Sequence, residues 1–137
     1  MISATTEVRI RYSETDKMGY VYYGNYAQFF EIGRTNMLRE YGMTYREMEA
    51  QGIMLPVRSM EIRYHSPAFY DDLLTVSTFL RKKPSKRLEF EHEIHNEAGK
   101  LIVTGKVELV FVSEKTRRPT NAPEYFMKEI ESFFENE

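Results

Sequence analysis

The sequence has no cysteine, only three histidines, and only seven glycines and five prolines in 137 residues. Without cysteine there are no disulfides, no thiolate metal sites and no Cys nucleophile, and cysteine usage leaves the redox compartment open. The histidines, His65, His92 and His95, are not spaced as metal ligands are, so no metal is expected. With so few glycines and prolines the chain shows no linker, repeat or low-complexity tract. No segment approaches the ~20 apolar residues that span a bilayer, and Met1 to Glu7 lacks the basic start and apolar run of a signal peptide. A cytoplasmic location is the expectation. A net charge of −2 gives no sign of nucleic acid as a partner. Ser, Asp, Glu, His and Tyr remain as candidates for chemistry.

What is present is an ordinary globular composition, 42% apolar and 14% aromatic, in a chain of single-domain length. Thr6, Val8, Ile10 and Tyr12 alternate with Glu7, Arg9 and Arg11, which predicts a first strand over 6–12. Tyr26, Phe29, Phe30, Gly33, Met37 and Tyr41 fall at helical spacing, with Gln28, Arg34, Arg39 and Glu40 assigned to the polar side and Gly42 placed to end the run. Gly33 on the apolar stripe predicts close approach of this helix to a sheet. A capping box, Thr44 to Glu47, opens a short second helix that Gly52 ends. From Pro56 the period becomes two, predicting strands around Met60–Tyr64, Leu74–Leu80, Leu88–Ile94 and Leu101–Val112. Ile102, Val110 and Val112 keep the second face of the last strand partly apolar, so a covering partner is expected there. Phe126, Met127, Ile130, Phe133 and Phe134 mark a C-terminal amphipathic helix. This is an α+β domain over 1–137 in which one long helix cannot cover a five-stranded antiparallel sheet on both faces, which implies an oligomer.

The chemistry concentrates in Tyr12 to Tyr26, Y-S-E-T-D-K-M-G-Y-V-Y-Y-G-N-Y. This loop places Asp16 ahead of a helix start, where unpaired N–H groups favour a developing oxyanion. An Asp in a Gly-containing loop also serves simply to make a turn. Asn25, with Gln28 three residues on, has the pattern of a helix cap.

The stretch R-I-R-Y-S-E-T-D-K-M-G-Y-V-Y-Y-G-N-Y-A-Q-F-F-E-I-G-R, followed by L-P-V-R-S-M-E-I-R-Y-H-S-P-A-F-Y-D-D-L-L-T-V, resembles the 4-hydroxybenzoyl-CoA thioesterase-like branch of the hotdog-fold acyl-CoA thioesterases. The resemblance runs from Arg9 to Val76, and the later strands suit the same fold. It implies a single hotdog domain, a long central helix wrapped by a five-stranded antiparallel sheet, with a short second helix and a C-terminal helix.

By that resemblance Asp16 acts on a thioester carbonyl, as nucleophile or as general base, and the Tyr23 backbone N–H polarises the thioester oxygen. Gly19, Val21, Asn25, Glu31, Arg58, Ser59, Lys86 and Arg87 are implied as substrate contacts. Glu31 also reads as a solvated helix residue. The run Arg81 to Arg87 suits the phosphates of coenzyme A, and equally a solvated turn. Related sequences with His at the Tyr23 position could use an imidazole base; this chain has none there. The expected partners are acyl-CoA, or an acyl-carrier protein bearing the same phosphopantetheine arm, and further copies of the chain as a homodimer or homotetramer, with no cofactor apart from the CoA of the substrate. A non-catalytic acyl-CoA-binding module and a hotdog dehydratase are the competing readings. The missing His counts against dehydration.

Overall fold

The computed structural model describes residues 1–135, in the order β1 (Ile2–Arg9), α1 (Tyr26–Glu40), α2 (Tyr45–Ala50), β2 (Ile53–Met54), β3 (Val57–Tyr64), β4 (Leu73–Leu80), β5 (Arg87–His95), β6 (Leu101–Val110), β7 (Val112–Ser113) and α3 (Glu124–Ile130). Short 3-10 turns at Tyr12–Glu14 and Tyr23–Asn25 flank the Asp16 loop. The main sheet has the order β1-β4-β5-β6-β3, with every neighbouring pair antiparallel. Five strands with a long helix against one face make the hotdog architecture that the alternating pattern and the resemblance led us to expect.

Alternation decides which side each strand buries. On β4 and β5, Leu74, Val76, Thr78, Leu80, Leu88, Phe90, His92 and Ile94 are buried, and they meet Phe29, Phe30, Met37 and Leu38 of α1. Two small residues allow this contact. A Cβ on Gly33 would stand 2.5 Å from Thr78 Oγ1 and 2.9 Å from Val76 Cγ1, and a Cβ on Gly105 would overlap the Phe30 ring. The helix therefore lies on the sheet at backbone distance, as the glycine in its apolar stripe implied.

Several boundaries differ from the expected ones for local reasons. The first strand spans Ile2–Arg9 because its partner β4 runs out at Leu73; Tyr12 then begins a turn closed by Arg11 N–H donating to Glu14 Oε1 at 2.7 Å. The last strand ends at Val110, and Val112–Ser113 leaves the sheet to pair with Ile53–Met54. The outer face of the sheet is not an apolar surface. Ile102 is buried and Val110 and Val112 are half-buried, whereas Glu61, Arg63 and Lys106 are exposed, and Lys106 reaches Glu89 and Glu91 at 3.8 and 4.0 Å. Charged pairs occupy the middle of that face. Thr44 caps α2 as expected, its side chain accepting from Glu47 N–H at 3.1 Å. Arg34, read as polar-side, is buried at 6% exposure. The helix wheel accounts for this, since Arg34 lies four residues after Phe30 and four before Leu38, both fully enclosed.

His92 is a buried polar residue among apolar neighbours. Its Nδ1 shares a hydrogen bond with Thr78 Oγ1 at 3.0 Å, and its ring stacks on Phe30 at 4.5 Å. Burial, and secondarily the Arg34 charge, pushes its pKa down to about 3.

Two outcomes follow. Gly33→Ala should destabilise the fold by roughly 1–3 kcal/mol in urea unfolding, since the added methyl must displace Thr78 and Val76; an unchanged midpoint would contradict the close contact. Because the unfolded imidazole titrates near 6.5 and the folded one near 3, the unfolded chain takes up a proton that the folded chain refuses. The stabilisation from His92 is full above pH 6.5 and is lost as pH falls towards 3, at about 1.4 kcal/mol per pH unit. The wild type should thus lose about 2 kcal/mol more than His92→Gln between pH 6.5 and 5; parallel curves would refute the assignment.

Candidate active site

Main-chain hydrogen bonds shape the Asp16 loop. Asp16 N–H donates to the Tyr20 carbonyl at 2.8 Å, and Gly19 N–H to the Asp16 carbonyl at 3.0 Å. Gly19 has φ +85°, a turn conformation that a side chain would strain. Asp16 Oδ1 accepts from Met18 N–H at 2.9 Å and Tyr20 N–H at 3.3 Å, while Oδ2 takes no hydrogen bond from the described residues. One carboxylate oxygen thus holds the loop and the other is unbonded among the described residues, so a turn-forming role does not use up the whole group. The loop is pinned to the strand system by Val21 N–H donating to the Ala68 carbonyl at 2.8 Å.

The helix start is built to leave donors free. Tyr22 N–H donates to the Glu14 carbonyl at 2.9 Å and Asn25 N–H to the Tyr22 carbonyl at 2.9 Å. The N–H groups of Tyr23 and Gly24, between them, have no acceptor among the described residues. The Tyr23 carbonyl is occupied from the other side by Tyr64 Oη at 3.3 Å and by Tyr26 N–H. Asn25 is not a cap. It makes no capping bond, and its Nδ2 instead donates to the Glu14 carbonyl at 2.8 Å, tying the helix start to the turn before Asp16.

Asp16, Val21 and Tyr23 line one cleft of about 310 Å³ together with Tyr26, Tyr64 and His65. Burial pushes the Tyr26 phenol up to about 12, and burial with its neighbour Tyr23 raises that of Tyr64, so both stay neutral in the wall. The Tyr23 ring is exposed and tilted against Tyr22 at 4.6 Å. His65 Nε2 hydrogen-bonds Thr104 Oγ1 at 3.0 Å, just past the end of β3. Tyr26 and Tyr64 are cleft residues that sequence reasoning passed over; Tyr26 read as core, and Tyr64 as one more strand position. The Y-H-S-P turn that ends β3 is the signal that could have found the second.

The remaining expected residues lie elsewhere. Arg58, Ser59, Lys86 and Arg87 sit at the opposite end of the sheet, where β3 and β5 begin. From Arg58 to Tyr64 a strand rising about 3.3 Å per residue spans roughly 20 Å. Arg58 and Arg87 both meet Glu108, at 2.7 and 3.4 Å, and Arg58 foremost holds that carboxyl below its usual range. Arg81, Lys82 and Lys83 pair with Glu91, Glu89 and Glu131, whereas Lys86 is in no ion pair among the described residues. Glu31 is exposed on α1 and lines a different pocket, with Arg34 and Tyr45. Among the described residues no group of three His, Asp or Glu side chains is arranged to hold a metal, and no helix is long and apolar enough to cross a membrane.

A carboxylate with one unbonded oxygen in a cleft that Tyr23, with its unused backbone N–H, also lines suits attack on a carbonyl whose oxygen becomes negative. The comparisons agree with that chemistry. The sequence model of the thioesterase-like superfamily matches residues 10–130. The acyl-CoA thioester hydrolase YbgC of Escherichia coli is 31% identical over 123 residues, 90% of this chain and 92% of that protein. The structure of a DHNA-CoA thioesterase from Staphylococcus aureus superposes with a TM-score of 0.89 at 39% identity, over 97% of this chain and 89% of that one. A 4-hydroxybenzoyl-CoA thioesterase structure, at 23% identity and a TM-score of 0.83 over 93% and 97% of the two chains, shares the fold. With the family match covering the whole Asp16 loop and four of the five strands of the main sheet, the chain belongs to the thioesterase-like superfamily and is a thioester hydrolase.

Proposed function

We propose that the protein hydrolyses an acyl-CoA to the free acid and CoA, with Asp16 acting at the thioester carbon. The observation that carries this reading is the pairing, in one cleft, of an anchored carboxylate with one open oxygen and a helix start whose Tyr23 and Gly24 N–H groups are unused. The thioester oxygen takes the Tyr23 N–H, which stabilises the charge that grows as the carbonyl becomes tetrahedral. Asp16 Oδ2 either draws a proton from the attacking water, and collapse expels the CoA thiolate, or attacks the carbon itself, in which case loss of the thiolate leaves an acyl-aspartyl anhydride that water hydrolyses to the free acid; the thiolate takes up a proton from solvent. This chemistry calls on carboxylate, water and backbone only, and no cofactor. The expected setting is the cytoplasm, where acyl-CoA is available.

CoA also needs its phosphates bound, and the basic end of the sheet lies too far from Asp16 within one chain. Pairing of two β3 edges resolves the distance. β3 ends the sheet and is largely exposed, and antiparallel pairing with a second copy lays the Arg58 end of one chain beside the Tyr64 end of the other. Lys86, uncommitted to any carboxylate among the described residues, then serves the neighbouring cleft, with Arg58, Ser59 and Arg87 around it. A homodimer is the smallest unit that completes the site, and a homotetramer pairs two such units. The same arm arrives on acyl-carrier proteins, but the basic cluster favours CoA.

Asp16→Asn should lower kcat for CoA release by about 10²–10⁴-fold across a panel of aryl and alkyl acyl-CoAs while acyl-CoA still binds. If wild type and variant both bind and neither turns over, the chain is an acyl-CoA-binding module. Mixing inactive Asp16→Asn with a variant lacking the Arg58, Lys86 and Arg87 charges should restore part of the activity, because a hybrid dimer keeps one intact site. No recovery from subunits shown to exchange would contradict the shared site.

A further inference from the structure

A second pocket, of about 220 Å³, lies between α1, α2 and the segment leading into β3. Its walls include Met48, Leu55 and Leu109, and its polar members are Arg34 and Tyr45, with Glu31 beside them. Arg34 is only 6% exposed, yet its Nε and Nη1 donate to no acceptor among the described residues. The Tyr45 hydroxyl is buried against Arg34; burial raises its pKa, and the Arg34 charge and the approach of a guanidinium N–H to the phenol oxygen partly offset the rise. Burying a cation with unmet donors is costly, and native proteins retain such groups where something meets them.

What is missing is an acceptor for a guanidinium N–H, and a carboxylate oxygen suits it with a charge-assisted hydrogen bond. Tyr45 O–H adds a further donor from a different helix. Met48, Leu55 and Leu109 provide apolar contact for a short carbon chain or a ring attached to that carboxylate. Glu31 and Glu49 line the same pocket from exposed positions and oppose an anion, but neither forms an ion pair with Arg34.

We propose that this pocket binds a carboxylate, gripped by Arg34 and the Tyr45 hydroxyl. The carboxylate has two possible sources. One is a small free carboxylic acid. The other is the far end of an acyl group whose thioester lies at Asp16 of a second copy, since β3 pairing brings that cleft towards Leu55; only this source rests on the proposed hydrolase dimer.

The test combines calorimetric titration of the full chain with succinate and benzoate, against chloride at equal ionic strength, and CoA release from glutaryl-CoA against pentanoyl-CoA. Saturable binding of either acid, weakened about tenfold in Arg34→Met and strengthened in Glu31→Gln, supports the site. A glutaryl-over-pentanoyl preference that falls about tenfold in Arg34→Met, with pentanoyl turnover kept, assigns the carboxylate to the substrate; binding without such a preference assigns it to a free acid. Should Arg34→Met not fold, wild type, Tyr45→Phe and Glu31→Gln still decide. The proposal is overturned if wild type shows neither carboxylate binding beyond chloride nor any glutaryl preference. If no acyl-CoA is turned over at all, the hydrolase reading fails while the titration still judges the pocket.

Discussion

The hydrogen bond from Val21 N–H to the Ala68 carbonyl, 2.8 Å long, is the tie on which the site depends. It fastens a loop that has no regular structure of its own to the segment leading into β4. From that anchor, Asp16 is closed by its own Oδ1 onto Met18 and Tyr20, and the chain enters α1 through Tyr22 and Asn25, both bonded to the Glu14 carbonyl. Glu14 is itself buried, and its carboxylate closes the preceding turn on Arg11. Each of these bonds satisfies a group that would otherwise be orphaned, and among the described residues Asp16 Oδ2 and the Tyr23 and Gly24 N–H are left without a partner. Reactivity here is what remains after local bonding is complete.

The fold was legible in the sequence because its signals are periodic. Strand alternation over 74–80 and 88–94 matches burial residue by residue, and Gly33 announced the helix–sheet contact. Boundaries were less legible, since they depend on partners: β1 stops where β4 stops, and β6 gives up Val112 to a pairing with Met54 that no local pattern marks. Polar residues were the hardest to place. Arg34 and Asn25 were assigned by residue type, one to solvent and one to a cap; Arg34 is buried instead, and the Asn25 side chain, at the N-cap position, bonds the Glu14 carbonyl rather than the helix. His92 alternates with glutamates on its strand, yet nothing in that pattern says that Thr78 and Phe30 will enclose it.

The candidate site was half legible for a similar reason. Asp16, Val21 and Tyr23 are close in sequence, so one loop brings them together. The basic residues come from the far end of the sheet, and a single chain holds them roughly 20 Å away. Sequence order carries no information about which edge a second copy would join; the exposed β3 edge and Lys86, in no ion pair among the described residues, are what the proposed pairing rests on. The buried Arg34 lies on the same side, so one pairing would gather phosphate, thioester and acyl-end contacts along a single path.

The central claim is that the thioester oxygen sits on the free donors of the α1 start while Asp16 faces its carbon. A crystal structure of Asp16→Asn with an acyl-CoA bound tests this most directly. The account predicts the thioester oxygen within hydrogen-bond distance of Tyr23 N–H, residue 16 against the carbonyl carbon, and the nucleotide phosphates near Lys86 of the second copy. A thioester bound with its oxygen away from Tyr23 and Gly24, or outside the Asp16 cleft, would contradict it.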